Sequence, residues 1–132
     1  MLGDIVMLTI LVKDVEAAVK RYETLFDLKV HSRVESETFG GFKSAFLSLD
    51  KGRMELMQPT SSSSAAGRFL ETHGEGIYMV SFHIEDIPAS VKKLRESGAR
   101  VTQFSPEDPV AWVHPKDAHG VLVELRKPTQ YS

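Results

Sequence analysis

Residues 5–29, IVMLTILVKDVEAAVKRYETLFDLK, lie without a gap over residues 77–101, IYMVSFHIEDIPASVKKLRESGARV, at a constant offset of 72 (77 minus 5). Met7 falls on Met79, Asp14 on Asp86, Ala17 on Ala89, Val19 on Val91 and Lys20 on Lys92. Further along, Ala45 to Pro59 (AFLSLDKGRMELMQP) matches Ala111 to Pro128 (AWVHPKDAHGVLVELRKP) with three extra residues (18 against 15), which sets Glu55 on Glu124. A half this short cannot bury both faces of its own sheet. The two copies are therefore expected to complete one core, with a shared site near their pseudo-twofold axis.

Each copy reads as βαβββ. Residues 5–12 are rich in β-branched side chains and form the first strand, after which Asp14 caps a helix. Val15, Ala18, Val19, Tyr22, Leu25 and Phe26 make its apolar stripe. Strands follow near residues 29–34, 41–49 and 53–58, the last two joined by an Asp50-Lys51-Gly52 turn. The polar run PTSSSS (59–64) leads into a short helix over residues 65–73 that Gly74 terminates. The second copy opens at Gly76. Asp86 caps its helix, with Pro88 tolerated in the first turn, and Gly98 ends it. Strands near residues 99–104, 110–114 and 120–125 complete it, the first two separated by the turn SPEDP (105–109). The expected fold is α+β, a single domain over residues 1–132 in which tandem βαβββ repeats (4–59 and 76–128, linked by 60–75) form a curved-sheet cleft.

Bulk composition excludes several classes of function. The chain carries 16 Lys plus Arg against 18 Asp plus Glu, with no basic cluster, so nucleic acid is not an expected partner. The absence of cysteine removes disulfides, thiolate catalysis and Cys-type zinc sites together. The apolar run at residues 5–12 is too short to span a bilayer and lacks a signal peptide's cationic prefix, so a soluble cytoplasmic protein with no membrane partner is expected. No GxGxxG or P-loop occurs.

Period-two alternation assigns side chains to faces. In residues 78–84, Val80, Phe82 and Ile84 suit packing under the helix, which leaves Met79, Ser81 and His83 facing a cavity. The repeat places Met7, Thr9 and Leu11 on the equivalent face of the first strand. Val121, Val123 and Leu125 form an apolar set, so Glu124 points to the cavity, and Glu55 follows by symmetry. Ser44, Phe46 and Ser48 match Val110, Trp112 and His114 as further lining. Two carboxylates facing one cavity repel each other, so Glu124→Gln is expected to leave stability unchanged or to raise it. Met7 and Met79 read as an apolar floor, and His83 as either a hydrogen-bonded wall residue or a functional imidazole.

A tandem βαβββ repeat with a carboxylate late in each half resembles the vicinal oxygen chelate (glyoxalase/bleomycin resistance/dioxygenase) superfamily. The motifs LVKDVEAAVKRYETLFDLKV (11–30), MELMQPTSSSSAAGRFLETHGEGI (54–77) and HPKDAHGVLVEL (114–125) are similar to its methylmalonyl-CoA epimerase branch. That resemblance implies a homodimer and a four-ligand metal site. The ligands would be a His on the first strand, Gln or Glu at the position of Glu55, a His opening the second half, and Glu at the position of Glu124. Here both His positions are Met7 and Met79, soft thioethers that are poor partners for two hard carboxylates, so no metal and no cofactor is expected. The branch's Gly-Ala-His-Gly loop is replaced by the shorter SPEDPV (105–110), and its acidic residue before the third strand aligns with Phe39 or Gly40.

Three functions follow as expectations. The first is a metal-independent isomerase or lyase acting on a small carbonyl or acyl compound, acyl-CoA included. Glu124 and Glu55 would exchange the proton while His83, helped by Ser81 or Thr9, stabilises the enolate oxygen. The second is a metal-free protein that sequesters a small apolar ligand between Met7, Met79, Phe46, Trp112 and His114. The third is a divergent metal-dependent epimerase.

Overall fold

The computed structural model describes residues 1–128. Its elements run β1 (Ile5–Leu11), α1 (Val15–Phe26), β2 (Val30–Ser36), β3 (Phe42–Ser48), β4 (Arg53–Pro59), α2 (Ala65–His73), β5 (Gly76–His83), α3 (Ile87–Glu96), β6 (Val101–Thr102), β7 (Val110–Val113) and β8 (Leu122–Arg126). This is an α+β chain with βαβββ written twice, β1-α1-β2-β3-β4 and β5-α3-β6-β7-β8, and α2 between the copies.

The chain divides into two compact units, Leu8–Tyr78 and Met1–Met7 with Met79–Ser132, so the division does not follow the repeat boundaries. The first seven residues belong with the second copy. Gly3 N donates to His83 O and His83 N donates to Asp4 O, each at 2.9 Å. A Cβ at residue 3 would lie 2.8 Å from the His83 carbonyl oxygen, so glycine is what permits this approach.

Within Leu8–Tyr78 the strand order is β2-β3-β4-β1. The Asp14 carboxylate accepts from the Glu16 and Ala17 amides and starts α1, and Asp27 ends it in a left-handed conformation (φ 53°). Val15 and Val19 press onto Val12, Ala45, Leu47 and Leu56 to make this unit's core. The stripe stops short of its expected length. Leu25 and Phe26 are exposed, because the last turn of α1 extends beyond the apolar surface it covers, although Phe26 still packs on Tyr22 with ring centroids 5.4 Å apart. The serine-rich run is structured. Ser64 Oγ donates to Ser61 O (2.9 Å) and accepts from Gly67 N (3.0 Å), capping α2. A Cβ at Gly67 would fall 2.0 Å from Ser61 O, so α2 lies directly against this run.

Within the other unit the order is β5-β8-β7-β6, with β5 and β8 parallel and the remaining neighbours antiparallel. Asp86 caps α3 through the Ala89 amide (3.0 Å). Ile87 and Val91 of α3 pack on Ile84, Ala111, Val113 and Leu125. β6 is only two residues long where six were expected, because the amides ahead of it are spent elsewhere, Ala99 N on Leu94 O and Arg100 N on the Asp117 carboxylate. Val121, expected in the apolar set, is exposed ahead of β8, whereas Val123 and Leu125 pack as expected.

Candidate functional site

Each half buries one carboxylate on the sheet face turned away from its helix. In the second half this is Glu124. Its neighbours Val123 and Leu125 pack into the core under α3, so alternation sends Glu124 to the opposite face. Register then builds a row, since Glu124 stands opposite Ser81 on β5 and Trp112 on β7. Oε1 accepts from Ser81 Oγ (2.9 Å) and from Arg126 Nη1 (2.9 Å), and Oε2 accepts from Trp112 Nε1 (2.9 Å). Glu124 is 4% exposed, so these donors replace the water it lost on folding.

The adjoining row on the same face is Val110, Arg126 and His83. Among the described residues the buried Nε2 of His83 has no hydrogen-bond partner. On the other side of the Glu124 row, Met79 stands opposite Leu122, and Met79 and Met7 are both buried. Phe104 meets Trp112 edge-on at 5.6 Å and is itself well exposed.

The first half repeats the plan with different chemistry. Glu55 on β4 stands opposite Phe46 on β3, as Glu124 stands opposite Trp112. Its Oε1 accepts from Thr9 Oγ1 (2.7 Å) and its Oε2 from Ser44 Oγ (2.7 Å). Thr9 and Ser81 are related by the repeat, and both are fully buried hydroxyls committed to the carboxylate of their own half. The Arg53 guanidinium lies over the Phe46 ring at 4.6 Å.

The structure groups the sequence-derived candidates as follows. Glu124, Ser81, His83, Trp112 and Met79 share one face of the second unit, with Met7 buried in that unit's portion of β1. Glu55, Thr9 and Phe46 gather in the first. His114 is exposed, and its Nδ1 accepts from Lys116 N (3.0 Å), so it caps the turn at Pro115–Asp117. Asp117 of that turn is fastened by Arg100, whose hydrogen bonds hold its carboxyl well below the ordinary value of 3.8. Ser44, expected as cavity lining, donates to Glu55, and Arg126 joins Glu124. Arg126 carries a readable signal, for it lies two residues beyond Glu124 on one strand and must share its face.

Among the described residues no group of three or more His, Cys, Asp and Glu side chains is placed to hold a metal ion. Met7 and Met79, where the resemblance implies imidazoles, are buried thioethers, and the Glu124 oxygens accept from an indole, a hydroxyl and a guanidinium. The guanidinium brings a positive charge to the carboxylate that a metal would bind.

Residues 8–115 match the Glyoxalase/Bleomycin resistance protein/Dioxygenase superfamily. The chain belongs to that superfamily, and its relatives include acyl-CoA epimerases. It is 33% identical to an ethylmalonyl-CoA/methylmalonyl-CoA epimerase of Cereibacter sphaeroides, across 96% of this chain and 99% of that one. It is 30% identical to the mitochondrial methylmalonyl-CoA epimerase of Homo sapiens, across 96% of this chain and 74% of the human protein. Among solved structures, Streptomyces coelicolor methylmalonyl-CoA epimerase in complex with 2-nitronate-propionyl-CoA superposes with a TM-score of 0.86 at 28% identity, covering 98% of this chain and 99% of that one. The Mycobacterium tuberculosis methylmalonyl-CoA epimerase gives 0.85 at 26% identity, covering 98% and 91%. Among the described residues no helix is long and apolar enough to cross a membrane.

Proposed function

We propose that the protein is an isomerase of the acyl-CoA epimerase type that moves a proton at the carbon beside a thioester carbonyl without a divalent ion. The observation that carries this reading is the presence of two buried carboxylates, each held by a repeat-related hydroxyl, in a chain whose relatives are named for acyl-CoA epimerisation. In the step proposed, the α C–H bond breaks, its proton passes to a carboxylate, and the electron pair moves onto the thioester oxygen. A water molecule on the opposite face gives a proton to the carbon as the electron pair returns from the thioester oxygen, which inverts it, and the protonated carboxylate loses its proton to the hydroxide so formed.

Glu55 is better built to carry that proton. Its contacts with Thr9 and Ser44 are hydroxyls, which can turn and accept from a protonated acid. Indole and guanidinium N–H groups, which meet Glu124, are donors only. Glu124 accordingly anchors Arg126 and Trp112.

Incubation of methylmalonyl-CoA and propionyl-CoA in deuterated water tests the reading, because α-hydrogen exchange appears as a mass shift whether or not a new product accumulates. Exchange should survive chelators and fall at least a hundredfold in Glu55→Gln. Exchange that vanishes with EDTA and returns with cobalt or zinc would refute metal independence. No exchange, combined with tight binding of an apolar aromatic compound, would favour sequestration, for which the buried Met7 and Met79 and the Phe104–Trp112 contact are the supporting features.

A further inference from the structure

We propose that β2 is a self-complementary edge, through which two copies of this chain join their sheets antiparallel about a twofold axis at Val34. β2 ends the strand order β2-β3-β4-β1, so one side of its backbone has no ladder partner among the described residues. Such an edge is a template for another strand, and proteins ordinarily blunt it with proline, a covering segment or a row of like charge. β2 is seven residues long, holds no proline, and is exposed from His31 to Glu35.

Its regular part is symmetric in charge. The register against β3 is shifted between Val30 and Ser32, then runs unbroken from Ser32 to Ser36, ahead of the turn at Thr38–Gly40. Val34 is the midpoint of that run, which reads Ser32-Arg33-Val34-Glu35-Ser36. An antiparallel copy centred on Val34 sets Ser32 opposite Ser36 and Arg33 opposite Glu35, twice over. Residues whose amide and carbonyl point outward then meet residues that do the same, so the ladder forms without a slip. Arg33 and Glu35 share a face with their register partners Ala45 and Lys43, the face on which α1 packs. The Arg33 guanidinium gives its Nε and Nη2 hydrogens to Glu16 (3.2 and 2.8 Å), which leaves its Nη1 edge uncommitted. Glu35 makes no hydrogen bond or ion pair among the described residues. On the other face Val34 is 42% exposed, and a second Val34 across the axis would cover it. An unrelated strand would have to bring an acidic, an apolar and a basic residue in that order; a second copy of this chain brings them by symmetry.

The chain has no cysteine, so single cysteines report the contact cleanly. Under mild oxidation Val34→Cys should form a disulfide-linked dimer, because directly opposed residues lie within bridging distance across an antiparallel ladder. Ser32→Cys and Ser36→Cys alone should each link about tenfold more slowly, since each lies roughly 13 Å by strand rise from its own copy. A mixture of those two should link readily, because the positions oppose each other. In the Val34→Cys background, Arg33→Glu or Glu35→Arg should each slow linkage about tenfold, and mixing the two should restore it through the heterodimer. Cross-linking reports register rather than oligomer size, so association through another surface does not imitate it. Val34→Cys that links no faster than Ser32→Cys, or charge variants whose mixture links no faster than either alone, would overturn the proposal.

Discussion

Replacing Glu124 by Gln removes one charge and alters almost no volume, and the geometry predicts a substantial loss of stability. All three groups that meet the carboxylate act as donors: Ser81 Oγ and Arg126 Nη1 on Oε1, and Trp112 Nε1 on Oε2. An amide offers one acceptor oxygen and one NH2. With the carbonyl placed at Oε1, the NH2 opposes the indole N–H. With the amide turned over, it opposes the guanidinium, and only Ser81 can reverse its hydroxyl to accept. One N–H loses its acceptor either way, at about 1–3 kcal/mol, and the bonds that survive lose their charge assistance. Arg126 is about a third exposed, so water recovers part of its share. The net expectation is a destabilisation of about 2–3 kcal/mol, reversing the gain that like-charge repulsion alone would suggest. Urea unfolding followed by circular dichroism would read this as a midpoint lowered by roughly 1–1.5 M at an m-value of about 2 kcal/mol/M. The double mutant Glu124→Gln with Trp112→Phe removes the opposed indole donor, and its loss should be smaller than the sum of the single losses by about 1 kcal/mol. A Glu124→Gln protein as stable as the wild type would refute this account of the site.

Gly67→Ala should cost about 1–3 kcal/mol in denaturant melts despite alanine's better helix propensity, because its methyl would enter the space of the Ser61 carbonyl. Ser81→Ala should destabilise by roughly 1–2 kcal/mol through the loss of a donor to a buried carboxylate. Arg100 depresses the Asp117 carboxyl in the folded state, so this group's stabilising contribution is fully present above its ordinary value of 3.8. That contribution declines as pH falls toward the depressed value. Carbon-detected NMR should find the Asp117 side chain still ionised below pH 3, and titration at an ordinary aspartate pH would contradict the contact.

The repeat made the fold legible. An offset of 72 residues named both helices and their caps, and Asp14 and Asp86 perform the same task in the structure. Alternation also oriented the site strands, since Ala111 and Val113 pack under α3 and send Trp112 to the other face. The partners of the carboxylates were less legible, because repulsion between two distant residues is visible as a pattern whereas hydroxyl, indole and guanidinium donors matter only once register is known. The serine-rich run reads as a linker by composition, but the absence of a side chain at Gly67 lets α2 lie directly against it. The length of the α1 stripe was overestimated because helical periodicity cannot say where the opposing apolar surface ends.

The assignment of Met1–Met7 to the unit that begins again at Met79 bears on how the chain matures on the ribosome. Gly3 and Asp4 are bonded to His83, which is synthesised some eighty residues after them. The segment around Gly3 therefore cannot make these bonds until the second copy has been made, whereas residues from Leu8 onward belong to a unit whose partners come earlier in the chain. Closing such a long-range contact costs loop entropy that the local contacts of α1 with β3 and β4 do not.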